Sequence, residues 1–199
     1  MKSVLLSIYP VWCEKIAGGK KTIEVRKTRP KISVPFKCYI YCTKDKRDSD
    51  RLWILDKQNR AKYFGLTAVC FTCEETPEHC YEGNGKVIGE FVCDDIFERI
   101  VQVGTSCETP KYCLCDWNMD CTPLDRILSD ACLTLDELEK YLDGGAGYGW
   151  HISNLKIYDT PRELNEFFVL LETRFGAEPV PIKRPPQSWC YVEEQIWND

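Results

Sequence analysis

Strand-like runs recur at irregular intervals along the 199 residues, and helices are inserted among them without regular alternation. That pattern argues for an α+β fold built on a barrel-like sheet. Val4-Leu5-Leu6-Ser7-Ile8 reads as a buried first strand bounded by Pro10. Pro10 opens a short helix with Val11, Trp12, Lys15 and Ile16 at helical spacing, and Gly18-Gly19 supplies the left-handed residue that stops it. A basic strand follows from Thr22. Phe36 to Cys42, with aromatic and apolar side chains on both faces, is expected to be central.

Two more strands are expected over 66–73 and 86–101, the second after a Gly83-Asn84-Gly85 turn. Helices are expected from about Pro123 to Asp130 and from Leu135 to Leu142, the latter capped by Thr134 and Glu137. Tyr148 to Tyr158 is strand-like, but its apolar residues change phase: Tyr148, Trp150 and Ile152 are even, whereas Leu155 and Ile157 are odd. An inserted residue near Ser153-Asn154, a bulge, restores one apolar face. Thr160-Pro161-Arg162-Glu163 carries the signature of a helix start, with Leu164, Phe167, Phe168, Leu171 and Phe175 as its buried stripe and Gly176 as its end. Ser188 to Val192 closes the chain as a strand. The whole is expected to be one domain, with insertions at about 43–86 and 105–133.

Charge is unevenly placed. The chain carries a net −5, yet residues 20–31 hold Lys20, Lys21, Arg26, Lys27, Arg29 and Lys31 against Glu24 alone. A cationic strand in an acidic protein attracts an anion locally while the overall field discourages indiscriminate binding to nucleic acid. Strand alternation puts Thr22, Glu24 and Arg26 on one face and leaves Ile23 and Val25 for the core. Lys21 reads as a phosphate or carbonyl ligand, as a nucleophile if desolvated, or as an ordinary solvated lysine beside a turn. Glu24 and Arg26 read either as a base-edge and phosphate pair or as a surface ion pair. Tyr148, Trp150 and His151 offer stacking surface and a group titrating near neutrality, and the expected bulge turns His151 and Ser153 toward a cleft.

Thirteen cysteines cannot all pair within one chain. The apolar N-terminal run is short, broken by Pro10, and leads into Glu14 and Lys15, so a cytoplasmic location with reduced cysteines is expected. Cys38, Cys70 and Cys93 sit in apolar runs and read as core. Cys70-x-x-Cys73 with His79 and Cys80, and Cys113-x-Cys115 with Cys121, are the only groupings with any likeness to a zinc site. Cys70 falls in an apolar strand and the second group lacks paired spacing, so no cofactor is expected. No apolar stretch reaches the roughly 20 residues that a membrane-spanning helix requires.

Gly19-x-Lys21-x-x-Glu24-x-Arg26, after a Leu-Ser-Ile-x-Pro strand and a short helix, resembles the ASCH domain of the PUA-like superfamily. Gly89-Glu90-Phe91, Tyr148 to Ser153 and Pro185 to Glu193 are similar to the longer bacterial and phage-encoded members. The resemblance implies a small β-barrel flanked by helices, with the glycine-lysine motif in the floor of a cleft. It also implies recognition of RNA or of a modified nucleoside. Together with the reading of the residues above, the expected ligand-binding set is Lys21, Glu24, Arg26, Tyr148, Trp150, His151 and Ser153.

A hydrolase is the alternative: an amidohydrolase on acylated cytidine-type nucleosides or a metal-assisted ribonuclease, with Lys21, Glu24 and Glu90 as catalytic residues. The family's amidohydrolase has a threonine where this chain has Glu24, a departure that weighs against the amidase. A protein-interaction module of phage or mobile-element origin, using the acidic insertions, is a third reading.

Overall fold

A computed structural model describes residues 2–44, 53–55, 80–103, 111–115, 121–122 and 124–195, and they form a strand-rich α+β fold. The elements, in chain order, are β1 (Lys2–Ile8), α1 (Pro10–Ala17), β2 (Ile23–Arg26), β3 (Phe36–Cys42), β4 (Trp53–Leu55), β5 (Cys80–Glu82), β6 (Val87–Cys93), β7 (Ile96–Val103), β8 (Lys111–Cys115) and β9 (Cys121–Thr122). Then come α2 (Leu124–Ala131), α3 (Leu135–Leu142), β10 (Gly147–His151), β11 (Ser153–Arg162), a 3-10 turn at Leu164–Glu166, β12 (Phe168–Thr173), β13 (Gly176–Pro181) and β14 (Trp189–Glu193). The chain divides into two compact units: residues 1–18, 36–91 and 154–199, and residues 19–35 with 92–153.

In the first unit β1 is central. It pairs parallel with β3 and antiparallel with β14, and among the described residues the sheet order is β11-β6-β3-β1-β14. Six of the seven β1 residues are buried, as an apolar strand covered on both faces requires. Leu5, Tyr39, Val87, Tyr158, Phe167 and Val192 belong to one core cluster. A Cβ on Gly89 would lie 2.5 Å from the Lys156 carbonyl oxygen, so only glycine lets β6 and β11 approach this closely. Pro161 falls in β11, which ends the sheet order among the described residues, and an edge strand is where a proline is tolerated.

The second unit holds the basic strand. Among the described residues its sheet runs β2-β10-β7-β8-β9. Ile23 and Val25 cluster with Ile127 and Ala131 of α2 and Leu138 and Leu142 of α3. Part of the stretch read as an insertion, 105–133, thus supplies core beneath β2. The α3 capping box forms as expected: the Glu137 N–H donates to Thr134 Oγ1 at 3.2 Å, and the Thr134 N–H donates to Glu137 Oε2 at 2.8 Å. Gly19, at φ +70°, is the left-handed residue after α1.

Three expectations are corrected. The helix over 160–175 is absent: β11 runs through Arg162, one 3-10 turn follows, and β12 pairs with β13 in register from Phe168↔Pro181 to Thr173↔Gly176. Of the helix-start signature only Glu163 takes part in that turn, as its N-cap rather than as a capping-box glutamate: its N–H donates to Glu166 Oε1 at 2.7 Å, while Thr160 and Pro161 lie in β11. Phe168-Val169-Leu170-Leu171 then finds a cross-strand partner, and tertiary pairing overrides a short helical pattern. Next, the 86–101 strand is two strands separated at Asp94-Asp95. Lastly, the phase fault near Ser153 is a change of sheet: β10 lies in one sheet and β11 in the other, with Asn154 in the left-handed region at φ +47°.

The 66–73 strand and Cys70, Cys73 and His79 lie outside the described residues, and the side chains of Cys80, Cys113, Cys115 and Cys121 do too. Cys38 and Cys93 are buried thiols, as expected of core residues. Among the described residues no helix is long and apolar enough to cross a membrane.

Candidate functional site: a buried ion network beside a cationic hollow

The β2 strand carries its charged face inward. Glu24 and Arg26 are each 6% exposed, although they lie on the face that alternation sets apart from the core, and Lys21, just before the strand, is 3% exposed. Glu24 is shared between two cations: its Oε2 lies 3.3 Å from Lys21 Nζ and its Oε1 lies 2.9 Å from Arg26 Nη2. Lys21 Nζ also donates to the Ala131 carbonyl at 2.7 Å, meeting the C-terminal end of α2, where a cation is favoured. A backbone bond reinforces the same join, the Thr22 N–H donating to Asp130 O at 2.8 Å, while the Ile152 N–H donates to Thr22 O at 2.9 Å and ties the start of β2 to the end of β10. The network therefore ties β2 to α2.

Register sets what accompanies it. β10 pairs antiparallel with β2, Tyr148 opposite Arg26 and Trp150 opposite Glu24, so these four side chains share one face. Trp150 is fully buried and acts as core. Tyr148 is half-buried and lines a hollow of about 460 Å³ whose other walls are Lys27, Thr28, Arg29, Pro30 and Lys31. Lys27, Arg29 and Lys31 are exposed, and Pro30 between them is buried, which pins the loop that presents them. Lys27 Nζ also stands 5.6 Å from the Tyr141 ring centroid, within cation–π range. The motif residues thus form the scaffold, and the residues immediately after them form the concavity. The cluster of charge over residues 20–31 signalled these walls; motif spacing drew attention to Lys21, Glu24 and Arg26 instead.

His151 and Ser153 come together away from Trp150. His151 falls on the face opposite Trp150, its Nδ1 is 2.6 Å from Asp94 Oδ1, and its ring stands edge-on to Phe97 at 6.4 Å. Ser153 Oγ donates to Val92 O at 2.9 Å. Burial pushes the Asp94 carboxyl up, but hydrogen bonds and charge from His151 and a bond from Ser153 outweigh it, leaving the group below the ordinary aspartate value. Burial first, then the Asp94 and Asp95 charges, pushes the neighbouring Cys93 thiol up to about 12. Asp94 is 57 residues from His151 in sequence, and nothing local marks it as the partner.

Glu90 belongs to the first unit. Its Oε2 accepts from the Tyr158 hydroxyl at 2.8 Å and its Oε1 lies 3.5 Å from Lys37 Nζ. Burial above all, followed by the Glu90 hydrogen bond, raises the Tyr158 phenol far above its usual range.

No protein-family model matches the sequence, and no curated protein does. Solved structures to which the chain is similar include ASCH from Zymomonas mobilis, at 15% identity and a TM-score of 0.46, covering 96% of this chain and 88% of that one. A serine-to-alanine variant of that protein is 17% identical with a TM-score of 0.49, covering 96% and 89%. A tyrosine-to-phenylalanine variant is 15% identical with a TM-score of 0.46, covering 98% and 92%. ASCH is also the family that the glycine-lysine stretch resembles.

Proposed function

We propose that this protein is an RNA- or nucleoside-recognition module whose ligand sits in the hollow between Lys27–Lys31 and Tyr148. The observation that carries the reading is that hollow: a basic loop, residues 27–31, and Tyr148 line a space of about 460 Å³ in a protein whose net charge is −5. Volume of this order suits a small ligand or one or two nucleotides. Cations hold phosphate, and a tyrosine ring stacks on any base. Lys21, Glu24 and Arg26 contribute by holding β2 and the loop after it in place. The hydrolase alternative draws less support, because the Lys21 amine that it requires as a nucleophile is engaged with Glu24 and the Ala131 carbonyl.

Fluorescence anisotropy with a labelled single-stranded RNA tests the proposal. The combined variant Lys27→Ala, Arg29→Ala, Lys31→Ala is expected to bind at least about tenfold more weakly than wild type while melting at a similar temperature, since losing even about 1.4 kcal/mol corresponds to that factor. Unchanged affinity in the folded variant removes the hollow as the binding site.

A further inference from the structure

We infer that Tyr141 of α3 positions Lys27 through its ring and so sets how tightly the site holds RNA. The inference rests on the recognition reading above and adds to it a residue that does not line the hollow. Lys27 lines the hollow on one side and meets Tyr141 on the other. The Tyr141 ring centroid lies 5.6 Å from Lys27 Nζ, within cation–π range, and the Lys27 main chain hydrogen-bonds the Tyr141 hydroxyl. The charges of Arg26 and Glu24 act on the same phenol, which places the ring where the loop leaves β2.

The ring is carried on a fixed helix. Leu138 and Leu142 of α3 are buried in one cluster with Ile23 and Val25 of β2, and the Asp143 N–H closes the helix by donating to Glu139 O at 2.8 Å. A Cβ on Gly147 would lie 2.7 Å from Leu142 Cδ2, so the start of β10 packs against the residue next to Tyr141. Further along the loop Thr28, Arg29 and Lys31 each have an interaction within the protein, and Pro30 is buried. Lys27 itself is exposed, and a long exposed side chain samples many rotamers unless something holds it. The ring supplies that hold before the ligand arrives, which lowers the ordering cost of binding. Tyr141 is 38% exposed, so replacing it removes little of the core.

Two substitutions in the full chain and two readouts test this. Tyr141→Leu is expected to weaken binding of the labelled single-stranded RNA by about three- to fivefold while melting at the wild-type temperature, and Tyr141→Phe, which keeps the ring, to bind within about twofold of wild type. NMR of the protein without RNA reads the contact directly. The Lys27 ε-methylene protons should lie upfield of an ordinary lysine's, a ring-current displacement that Tyr141→Phe retains and Tyr141→Leu abolishes. Lys27 protons at ordinary positions in the wild-type protein overturn the inference and leave the recognition reading intact. So does a Tyr141→Leu protein that binds RNA as tightly as wild type, or a Tyr141→Phe protein that binds as weakly as Tyr141→Leu. Wild-type protein that fails to bind RNA sinks both.

Discussion

Glu24 is the residue on which the basic strand depends. With Lys21 and Arg26 at 3.3 and 2.9 Å and all three buried, removing its charge leaves two cations facing one another in low-dielectric surroundings. Glu24→Gln is expected to destabilise the protein by about 3–5 kcal/mol, the usual cost of breaking a buried ionic network from one side. Urea unfolding measures it, and a loss below about 1 kcal/mol would mean that the network contributes as little as a surface pair does. The sequence reading put Thr22, Glu24 and Arg26 on one polar face of a strand and singled out Lys21 separately, by its motif. Their burial was not: alternation assigns a face, and what covers that face comes from other parts of the chain, here the Ala131 carbonyl and the shared face with Trp150.

Elements with a local signal matched their sequence reading. The α3 capping box, the Gly19 stop after α1 and the apolar β1 run each depend on residues within a few positions of one another. The 160–175 segment failed because its signal was ambiguous: a helix-start signature led into a run equally able to form a strand, and β13 settled the choice from outside. This yields a discriminating pair of substitutions. Phe167 is fully buried in the core of the first unit, so Phe167→Ala should cost about 3–5 kcal/mol. Phe175 is 81% exposed at the hairpin turn, so Phe175→Ser should change stability by no more than about 0.5 kcal/mol. A buried helical stripe would make both substitutions costly, and paired thermal melts separate the two outcomes.

Across the whole molecule the chain is threaded so that neither unit is a continuous segment: residues 19–35 and 92–153 make one unit and the stretches around them the other. The charge distribution makes a prediction at this scale. Because the hollow's three cations sit in a chain of net −5, binding of single-stranded RNA should release few counterions. The slope of log affinity against log salt should be about −2, from three phosphate contacts at about −0.7 each. A slope steeper than about −4 would mean that RNA follows a broader surface than the hollow. By itself the sequence determined the elements with local signals and the place where positive charge gathers, since periodicity, caps and composition act between neighbours in the chain. Only the tertiary structure decided that the motif's charges face inward, that Tyr148 rather than Trp150 lines the hollow, and that 168–181 is a hairpin. Each of those outcomes depends on burial and strand register between residues distant in sequence, and no local pattern encodes them.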